Sequence, residues 1–169
     1  MTAQSLKVAT PQFGRKTGIA PEDRKAIALA LGTVLADTYM LFIKTQGVHW
    51  NVTGPAFVSV HELTEGQYTN MYKAIDQIAE RIRALGEKAP ASYTKYGELS
   101  SIKDEDEPRS VGEMLSMLIA DHETTVSNMR VAVEWCEGKN DFVTADMMIE
   151  RMAWHEEAIW MLNALNMEE

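Results

Sequence analysis

Apolar side chains recur at intervals of three and four residues along four long stretches of the chain. This spacing predicts amphipathic helices from Pro21 to about Trp50, from 56 to 85, from 111 to about 137 and from about 142 to 165. No stretch alternates with the period of two that a half-buried strand requires. The pattern therefore predicts an all-α protein in which four long helices form a four-helix bundle.

Residues that start and stop helices fall at the ends of these stretches. A proline followed by two acids opens the first helix, and the turn at 51–55 ends it. Ser110 and Glu113 have the spacing of a capping box for the third helix. The 24-residue connection at 86–109 is long enough for a crossover between helices two and three, with a short helical piece near 93–100.

The charge of the chain is distributed unevenly between its two predicted parts. Residues 1–20 are predicted to form a flexible basic tail, with Lys7, Arg15 and Lys16 and no acid, and residues 21–169 to form the bundle. The whole chain has a net charge of −9, so its body should repel nucleic acid. Any attraction to DNA would therefore have to come from the tail.

Composition indicates the class of protein and the cellular compartment to expect. Apolar residues make up 46% of the 169 residues, which excludes a disordered chain. The only cysteine, Cys136, excludes an intramolecular disulfide and fits a reducing compartment. The longest apolar stretch, 26–36, is too short to cross a bilayer, and the N-terminus lacks the core of a signal peptide. We expect a cytoplasmic protein with no membrane partner.

Four side chains that commonly bind metals lie on one face of the second helix. They form two i,i+4 pairs, His61 with Glu65 and Asp76 with Glu80, and they span roughly 100° of the helix surface. The two pairs are roughly 22 Å apart along the helix axis. One ion cannot bind both pairs of a single chain.

The positions of the two pairs are symmetric about a point between Asn70 and Met71. If two copies of the helix cross antiparallel about a two-fold axis there, each histidine-containing pair meets the pair of acids from the partner. His49, just before the turn, can fold back toward His61. Two imidazoles and up to three carboxylates would then suit iron, among other divalent metals.

The spacing alone leaves other interpretations open. Carboxylates at i,i+4 often lie on a solvated helix face with arginine partners, here Arg81 and Arg83, and His49 would then be an ordinary core histidine. A di-iron site inside one bundle uses Glu-x-x-His motifs, which this sequence lacks, so any site is predicted to be intersubunit. His122 and His155 have no second histidine at ligand spacing and are predicted to be surface or core residues.

The segment KTQGVHWNVTGPAFVSVHELTEGQY at 44–68, followed by AIDQIAERIRALG at 74–86, resembles the Dps family, the mini-ferritins that protect DNA in starved bacteria. The resemblance covers about 25–165 and is specific in His-Trp-Asn-x-x-Gly-Pro, His-Glu-Leu and Asp-x-x-x-Glu-Arg. It implies a ferritin-like four-helix bundle with a long crossover between helices two and three, assembled into a hollow dodecamer.

The resemblance also implies ferroxidase centres at the two-fold interfaces. Carried over by position, their iron ligands are His49, His61 and Glu65 of one subunit with Asp76 and Glu80 of the partner subunit. The family oxidises Fe(II) there, preferentially with hydrogen peroxide, although this sequence does not decide between peroxide and oxygen. Because paired iron supplies two electrons, hydroxyl radical is not released, and the ferric product is stored inside.

Two residues near the site refine this expectation. Trp50 lies beside it and would intercept a stray oxidising equivalent. The position of Glu65 is usually aspartate in the family, so its carboxylate reaches about one methylene further. The resemblance leaves two alternatives, a nucleoid-compacting DNA-binding protein with a secondary metal site and an inert helical assembly with a degenerate site.

Further acids are candidates for iron entry and nucleation. The family takes up iron through three-fold pores lined by carboxylates, and Asp146 falls at a matching position. Glu137 and Asp141 are additional pore candidates, although Asp141 could instead be an acid stabilised at a helix N-terminus. Glu62 is either a nucleation point for ferric iron or a solvated carboxylate.

Overall fold

A computed structural model describes residues 17–105 and 109–166 of the chain. Five helices and no strand occur among these residues. The helices are α1 (Pro21–Asn51), α2 (Phe57–Leu85), α3 (Tyr93–Leu99), α4 (Val111–Gly138) and α5 (Phe142–Asn166). The elements predicted from apolar spacing are therefore confirmed, including the short helix in the long connection. Lys7, Arg15 and Lys16 of the predicted tail lie outside the described residues.

The four long helices form two hairpins, α1 with α2 and α4 with α5, which pack against each other through α1 and α4 and through α2 and α5. α1 runs antiparallel to α4, because Asp37 contacts Asn128 while Lys44, further along α1, pairs with the earlier Asp121. The connection from α2 to α4 carries α3 along α1. The chain is thus a four-helix bundle with the predicted long crossover.

The helix ends follow the chemistry of their residues. Gly86 closes α2 with a φ of 109°, in the left-handed region that glycine adopts at least cost. Ser110 and Glu113 make both hydrogen bonds of the capping box at the start of α4. These interactions are local, which is why the boundaries could be predicted from the sequence to within a residue or two.

Two apolar clusters fill the interior, one toward each end of the bundle. One includes Leu35 and Ile78, and the other includes Val48 and Leu162. Buried polar side chains concentrate where the clusters meet, and they include Thr45, Gln67, His122, Thr125, Arg151 and His155. The interior is therefore apolar toward both ends of the bundle and contains polar side chains between them.

The apolar part of α1 is longer than the stretch at 26–36 that was singled out from the sequence. By length and composition α1 could cross a membrane, whereas the sequence reading took 26–36 as too short for that. In the structure 61% of the most apolar window of α1 is buried inside the bundle. A helix that is apolar on most sides is typical of a bundle core, and burial accounts for this one.

The buried carboxylate of Asp37 ties the crossover to the bundle. One of its oxygens accepts hydrogen bonds from the Ser101 backbone N–H at 2.6 Å and from the Ser100 hydroxyl at 2.9 Å. The other accepts from the Asn128 amide on α4 at 2.8 Å. Because Asp37 accepts hydrogen bonds both from the segment after α3 and from α4, it holds that segment of the crossover against the bundle.

Candidate metal centre

The turn between α1 and α2 brings the ends of these helices together. The backbone N–H of Val52 donates to the Val48 carbonyl, and extended geometry at Val52 then leads the chain out of α1. Gly54 has a φ of 92°, which an L side chain rarely adopts, and its carbonyl accepts from the Phe57 N–H as α2 begins. The chain therefore reverses within five residues.

This reversal places the rings of His49 and His61 against each other. The ring centroids are 3.7 Å apart and the ring planes differ by 17°. Nδ1 of His49 lies 2.9 Å from the His61 carbonyl, and Nδ1 of His61 lies 2.9 Å from the His49 carbonyl. The prediction that His49 folds over the turn toward His61 is thus confirmed.

The reciprocal hydrogen bonds decide the tautomer of each ring. A carbonyl oxygen only accepts, so each Nδ1 must carry the hydrogen and donate it. In a neutral imidazole the lone pair is then on Nε2, the form in which histidine binds a metal. In this form both histidines of the hairpin keep an Nε2 lone pair that no hydrogen bond between them uses.

Neighbouring aromatic rings hold this pair in place. Phe57 stacks on His61 with 5.0 Å between centroids, and Tyr68 meets the His49 ring edge-on at 5.2 Å. Phe42 packs in turn against the edge of Tyr68. Because His49 is buried while His61 is partly exposed, solvent reaches the pair from the His61 side.

The carboxylates predicted as ligands are exposed on the surface of α2. Among the ion pairs between described residues, none involves Glu65, Asp76 or Glu80. Arg81 instead donates to Asp141, and Arg83 donates to the Glu87 carbonyl. The interpretation of these acids as salt-bridge partners of Arg81 therefore finds no support within the described part of the chain, whereas their exposure agrees with a solvated helix face.

One chain does not collect a complete metal site by itself. Within residues 17–105 and 109–166, no group of three or more His, Cys, Asp or Glu side chains is arranged to hold an ion. His61 lies near the start of α2, with His49 of α1 stacked on it, whereas Asp76 and Glu80 lie in the second half of α2. A site shared between two subunits remains a prediction.

Four further candidates are exposed on the surface of the chain. Trp50, next to His49, is 66% exposed. Glu62, Glu137 and Asp146 are exposed acids. No feature of the single chain contradicts their predicted roles, and none tests them.

Asp141 requires a correction. Its carboxylate is 1% exposed and pairs with the Arg81 guanidinium at 2.6 Å. It also accepts from the Thr144 backbone N–H at 3.1 Å and from the Thr144 hydroxyl, as a cap at the start of α5. A carboxylate that is buried and fully bonded cannot line a pore, so Asp141 is the helix N-terminal acid of the alternative interpretation.

The sequence reading treated His122 and His155 as separate residues, but the fold pairs them. Their Nδ1 atoms are 2.8 Å apart, and both side chains are completely buried between α4 and α5. Burial lowers the pKa of His122 to about 3 and the pKa of His155 well below its ordinary value. Counting outward from the tight turn after α4 would have placed the two histidines within one helical turn of each other.

Comparisons with known proteins agree with this architecture. The family model described as a ferritin-like domain matches residues 28–168. The chain is 33% identical to a DNA protection during starvation protein of Brevibacillus brevis, over 83% of this chain and 95% of that protein. It is also 37% identical to an uncharacterised low-temperature-induced protein of Nostoc, over 87% of this chain and 83% of that one.

Solved structures show the same bundle. The crystal structure of a Dps protein from Bacillus brevis has a TM-score of 0.82 at 33% identity, covering 85% of this chain and 97% of that one. A Vibrio cholerae Dps protein, described as a member of a broad superfamily of ferritin-like diiron-carboxylate proteins, has a TM-score of 0.85 at 26% identity, covering 89% and 95%. With a family match over most of its length and relatives at this identity, the chain belongs to the Dps family of ferritin-like proteins.

Proposed function

We propose that this protein oxidises Fe(II) at centres shared by two subunits and stores the ferric product in the cavity of a hollow dodecamer. The observation that carries the proposal is the stacked pair His49–His61, whose Nδ1 atoms donate to carbonyls and whose Nε2 lone pairs remain for a metal. The ferritin-like match and the diiron-carboxylate description of the Vibrio cholerae relative support it.

Iron is the substrate in this reaction. Two Fe(II) ions give one electron each to a hydrogen peroxide molecule, its O–O bond breaks, and two protons complete two water molecules. Because both electrons come from iron held at one centre, no hydroxyl radical leaves the site. Peroxide is the proposed oxidant and oxygen the alternative, and Trp50 would take up an oxidising equivalent that escapes.

The exposed carboxylates support a shared centre. Glu65, Asp76 and Glu80 have no ion-pair partner within the described chain, and unpaired acids on one helix face are available to a metal. A two-fold axis between Asn70 and Met71 would bring Asp76 and Glu80 of the partner subunit to the histidine pair. Iron would then receive nitrogen and oxygen ligands from both chains.

Exposed aromatic side chains support assembly. Large apolar side chains that are more than half exposed include Trp50, Tyr72, Trp135, Phe142, Val143 and Trp160. They lie on several faces of the bundle, as expected if more than one surface contacts other copies. Asp146 and Glu137, both exposed, are the proposed pore acids, and Glu62 is the proposed nucleation site on the cavity side.

Iron oxidation by the purified protein tests the activity. Fe(II) is added anaerobically, then peroxide or oxygen, and ferric absorbance and retained iron are measured. We expect oxidation faster than in buffer, faster with peroxide than with oxygen, and loss of most of it in His61→Ala and in Asp76→Asn. Glu123→Gln, which removes a charge from an exposed acid on α4, is the matched control and should oxidise iron normally.

Mixing the two inactive variants tests whether the centre is shared. After random reassembly, half of the dimers contain one chain of each kind, and one of their two centres is intact, so about a quarter of the activity should return. No recovery in verified mixed dimers would show that the centre is not shared. A wild-type protein that oxidises iron no faster than buffer would overturn the proposed activity itself.

A second function, DNA binding, is favoured by similarity to two relatives named DNA protection during starvation proteins, from Brevibacillus brevis and Bacillus anthracis. In this chain the proposed contact is the tail with Lys7, Arg15 and Lys16, multiplied over many subunits. Removal of iron and peroxide would also protect DNA without binding it. For either function we propose a cytoplasmic location, which would be near the nucleoid if the protein binds DNA.

A further inference from the structure

Buried polar atoms without partners gather in the middle of the bundle. Among the described residues, six such nitrogen and oxygen atoms belong to Gln67, His122, Arg151 and His155. We call these four residues the central polar layer. An unpaired polar atom shielded from water is unfavourable and rare in folded proteins, so six of them in one region indicate that something else binds there.

The helix register brings these four residues to one height along the bundle. Asn70 on α2 accepts a hydrogen bond from Arg151 on α5 at 2.6 Å, which fixes the pairing of these antiparallel helices. Gln67 lies one turn before Asn70 and His155 one turn after Arg151, so the antiparallel register places them at the same height on their two helices. His155 in turn bonds His122 of α4. The layer therefore joins three helices across the interior.

The histidine pair contributes one donor and one acceptor to the layer. A hydrogen bond between two Nδ1 atoms uses a single hydrogen, so one neutral ring donates from Nδ1 and the other accepts there. The donating ring has a bare Nε2, and the accepting ring has an Nε2–H. Both Nε2 atoms are buried without a partner in the described structure.

Hydrogen-bond donors exceed acceptors in the layer. Arg151 leaves its Nε–H and both hydrogens of Nη2 unpaired, and the Gln67 amide leaves two more. The acceptors left unpaired are the Gln67 oxygen and one histidine nitrogen. Even if these bond within the layer, several N–H groups have no acceptor.

The layer also holds a positive charge, and the acid that acts on it, Glu150, is exposed outside the layer. The Arg151 guanidinium lies 4.5 Å above the Trp154 ring and bonds the neutral Asn70 amide. Among the ion pairs between described residues, none involves Arg151. A buried charge is stable only when it is paired or bonded to an opposite charge.

We propose that the central polar layer binds a small inorganic anion of the halide type. The anion accepts hydrogen bonds from N–H groups of Arg151, Gln67 and one histidine. A water molecule is a poorer occupant, because it brings two hydrogens with its two acceptor positions and leaves the excess of donors in place. A metal cation is excluded by the charge of Arg151. The site is separate from the His49–His61 centre and does not depend on iron oxidation.

Anomalous diffraction locates the anion directly. Crystals of the full-length protein grown in sodium bromide should give an anomalous peak at hydrogen-bond distance from Arg151 and Gln67. Density without anomalous signal, explained by ordered water alone, would overturn the proposal.

Thermal unfolding tests the site in solution. When chloride replaces gluconate at equal ionic strength, the unfolding midpoint of the wild type should rise by about 2–4 °C. Arg151→Met keeps the side-chain stem over Trp154 and should abolish this rise, and Gln67→Leu should reduce it. Arg130→Met, which removes an exposed arginine of α4, is the control and should keep it.

The outcomes separate clearly. Equal midpoints of the wild type in the two salts would show that no anion binds, and a full chloride effect in folded Arg151→Met would show that it binds elsewhere. If Arg151→Met does not fold, the effect of chloride on the unfolding midpoint is compared between Gln67→Leu and Arg130→Met. A smaller rise in Gln67→Leu supports the site, and an equal rise contradicts it. Iron oxidation should be unchanged in Gln67→Leu, so failure here leaves the proposed ferroxidase activity untouched.

Discussion

Each histidine at the α1–α2 turn is oriented by the backbone of the other. The carbonyl of His61 fixes the His49 ring and the carbonyl of His49 fixes the His61 ring. Because both partners are main-chain atoms, the hairpin sets the ring orientation, and the rings of Phe57 and Tyr68 pack against the pair. This is the arrangement expected of ligands held ready before a metal arrives.

Glu65 is the ligand candidate in which this chain departs from the usual aspartate of the family. We predict that Glu65→Gln slows iron oxidation by at least about tenfold, because even changes around a metal ligand have effects of that size. Glu65→Asp should retain most of the activity, since the charge remains. Stopped-flow absorbance at limiting Fe(II) measures both variants, and equal rates for Glu65→Gln and wild type would remove Glu65 from the ligand set.

The buried pair His122–His155 predicts how stability depends on pH. Burial, assisted by the nearby Arg151 charge, lowers both pKa values, that of His122 to about 3. The unfolded chain takes up protons near pH 6.5 and the folded chain only at lower pH, so stability falls as the pH drops from 6.5 toward 3. Each histidine should contribute a loss of about 1 kcal/mol per pH unit in this window.

Urea unfolding at about pH 7 and about pH 5.5 measures this loss. The double variant His122→Gln/His155→Gln cannot titrate at these positions and should show a clearly smaller difference between the two pH values. His49 and His61 are present in both proteins, so they do not affect the comparison. An unchanged difference in the double variant would contradict the prediction.

At the scale of elements, the long crossover depends on one buried acid. Asp37→Ala would leave the Ser101 N–H, the Ser100 hydroxyl and the Asn128 amide without their acceptor. We predict a loss of about 3 kcal/mol in the free energy of unfolding, because hydrogen bonds to a charged group are among the stronger ones. Asp104→Ala, which removes an exposed acid from the same connection, should change the free energy of unfolding by less than about 0.5 kcal/mol.

Hydrogen exchange distinguishes a local effect from a general one. In Asp37→Ala the amides of α3 and residues 100–105 should exchange faster than those of α5. Equal acceleration throughout the described bundle would show that Asp37 supports the core as a whole and not the crossover.

At the scale of the whole molecule, the tail and the body act on DNA in opposite directions. The body is acidic, so any binding should require Lys7, Arg15 and Lys16. Three phosphate contacts per tail would lower affinity about forty-fold between about 50 and 200 mM salt. A gel shift at both salt concentrations, with the full chain and with a chain lacking residues 1–20, measures this. Binding that survives truncation would place the DNA contact on the bundle.

Much of the fold could be predicted because its signals are local. Apolar spacing predicted the four long helices, Gly86 and the Ser110–Glu113 box predicted two of their ends, and the turn at 51–55 predicted that His49 meets His61. Each of these depends on residues within one or two helical turns of each other. Their geometry is therefore the same in any context in which the helices form.

Other features depend on residues that are far apart in sequence. Asp37 meets its partners 63 to 91 residues away, and the complete burial of His122 and His155 depends on the packing of α4 and α5 against the other helices. The same holds for Asp141, a pore candidate by sequence that the fold buries against Arg81. A side chain and its neighbours on other helices cannot be matched before the register of those helices is known.

The sequence by itself determined the helices, the hairpin and the residues that are candidates for binding iron, because helix geometry translates spacing into direction. Only the tertiary structure decided which polar side chains are buried and which charged groups, Arg151 among them, have no ion-pair partner among the described residues. Burial and charge balance are properties of packed helices, since they depend on what surrounds a residue and not on what adjoins it in the chain. That is why the central polar layer becomes visible only in the folded bundle.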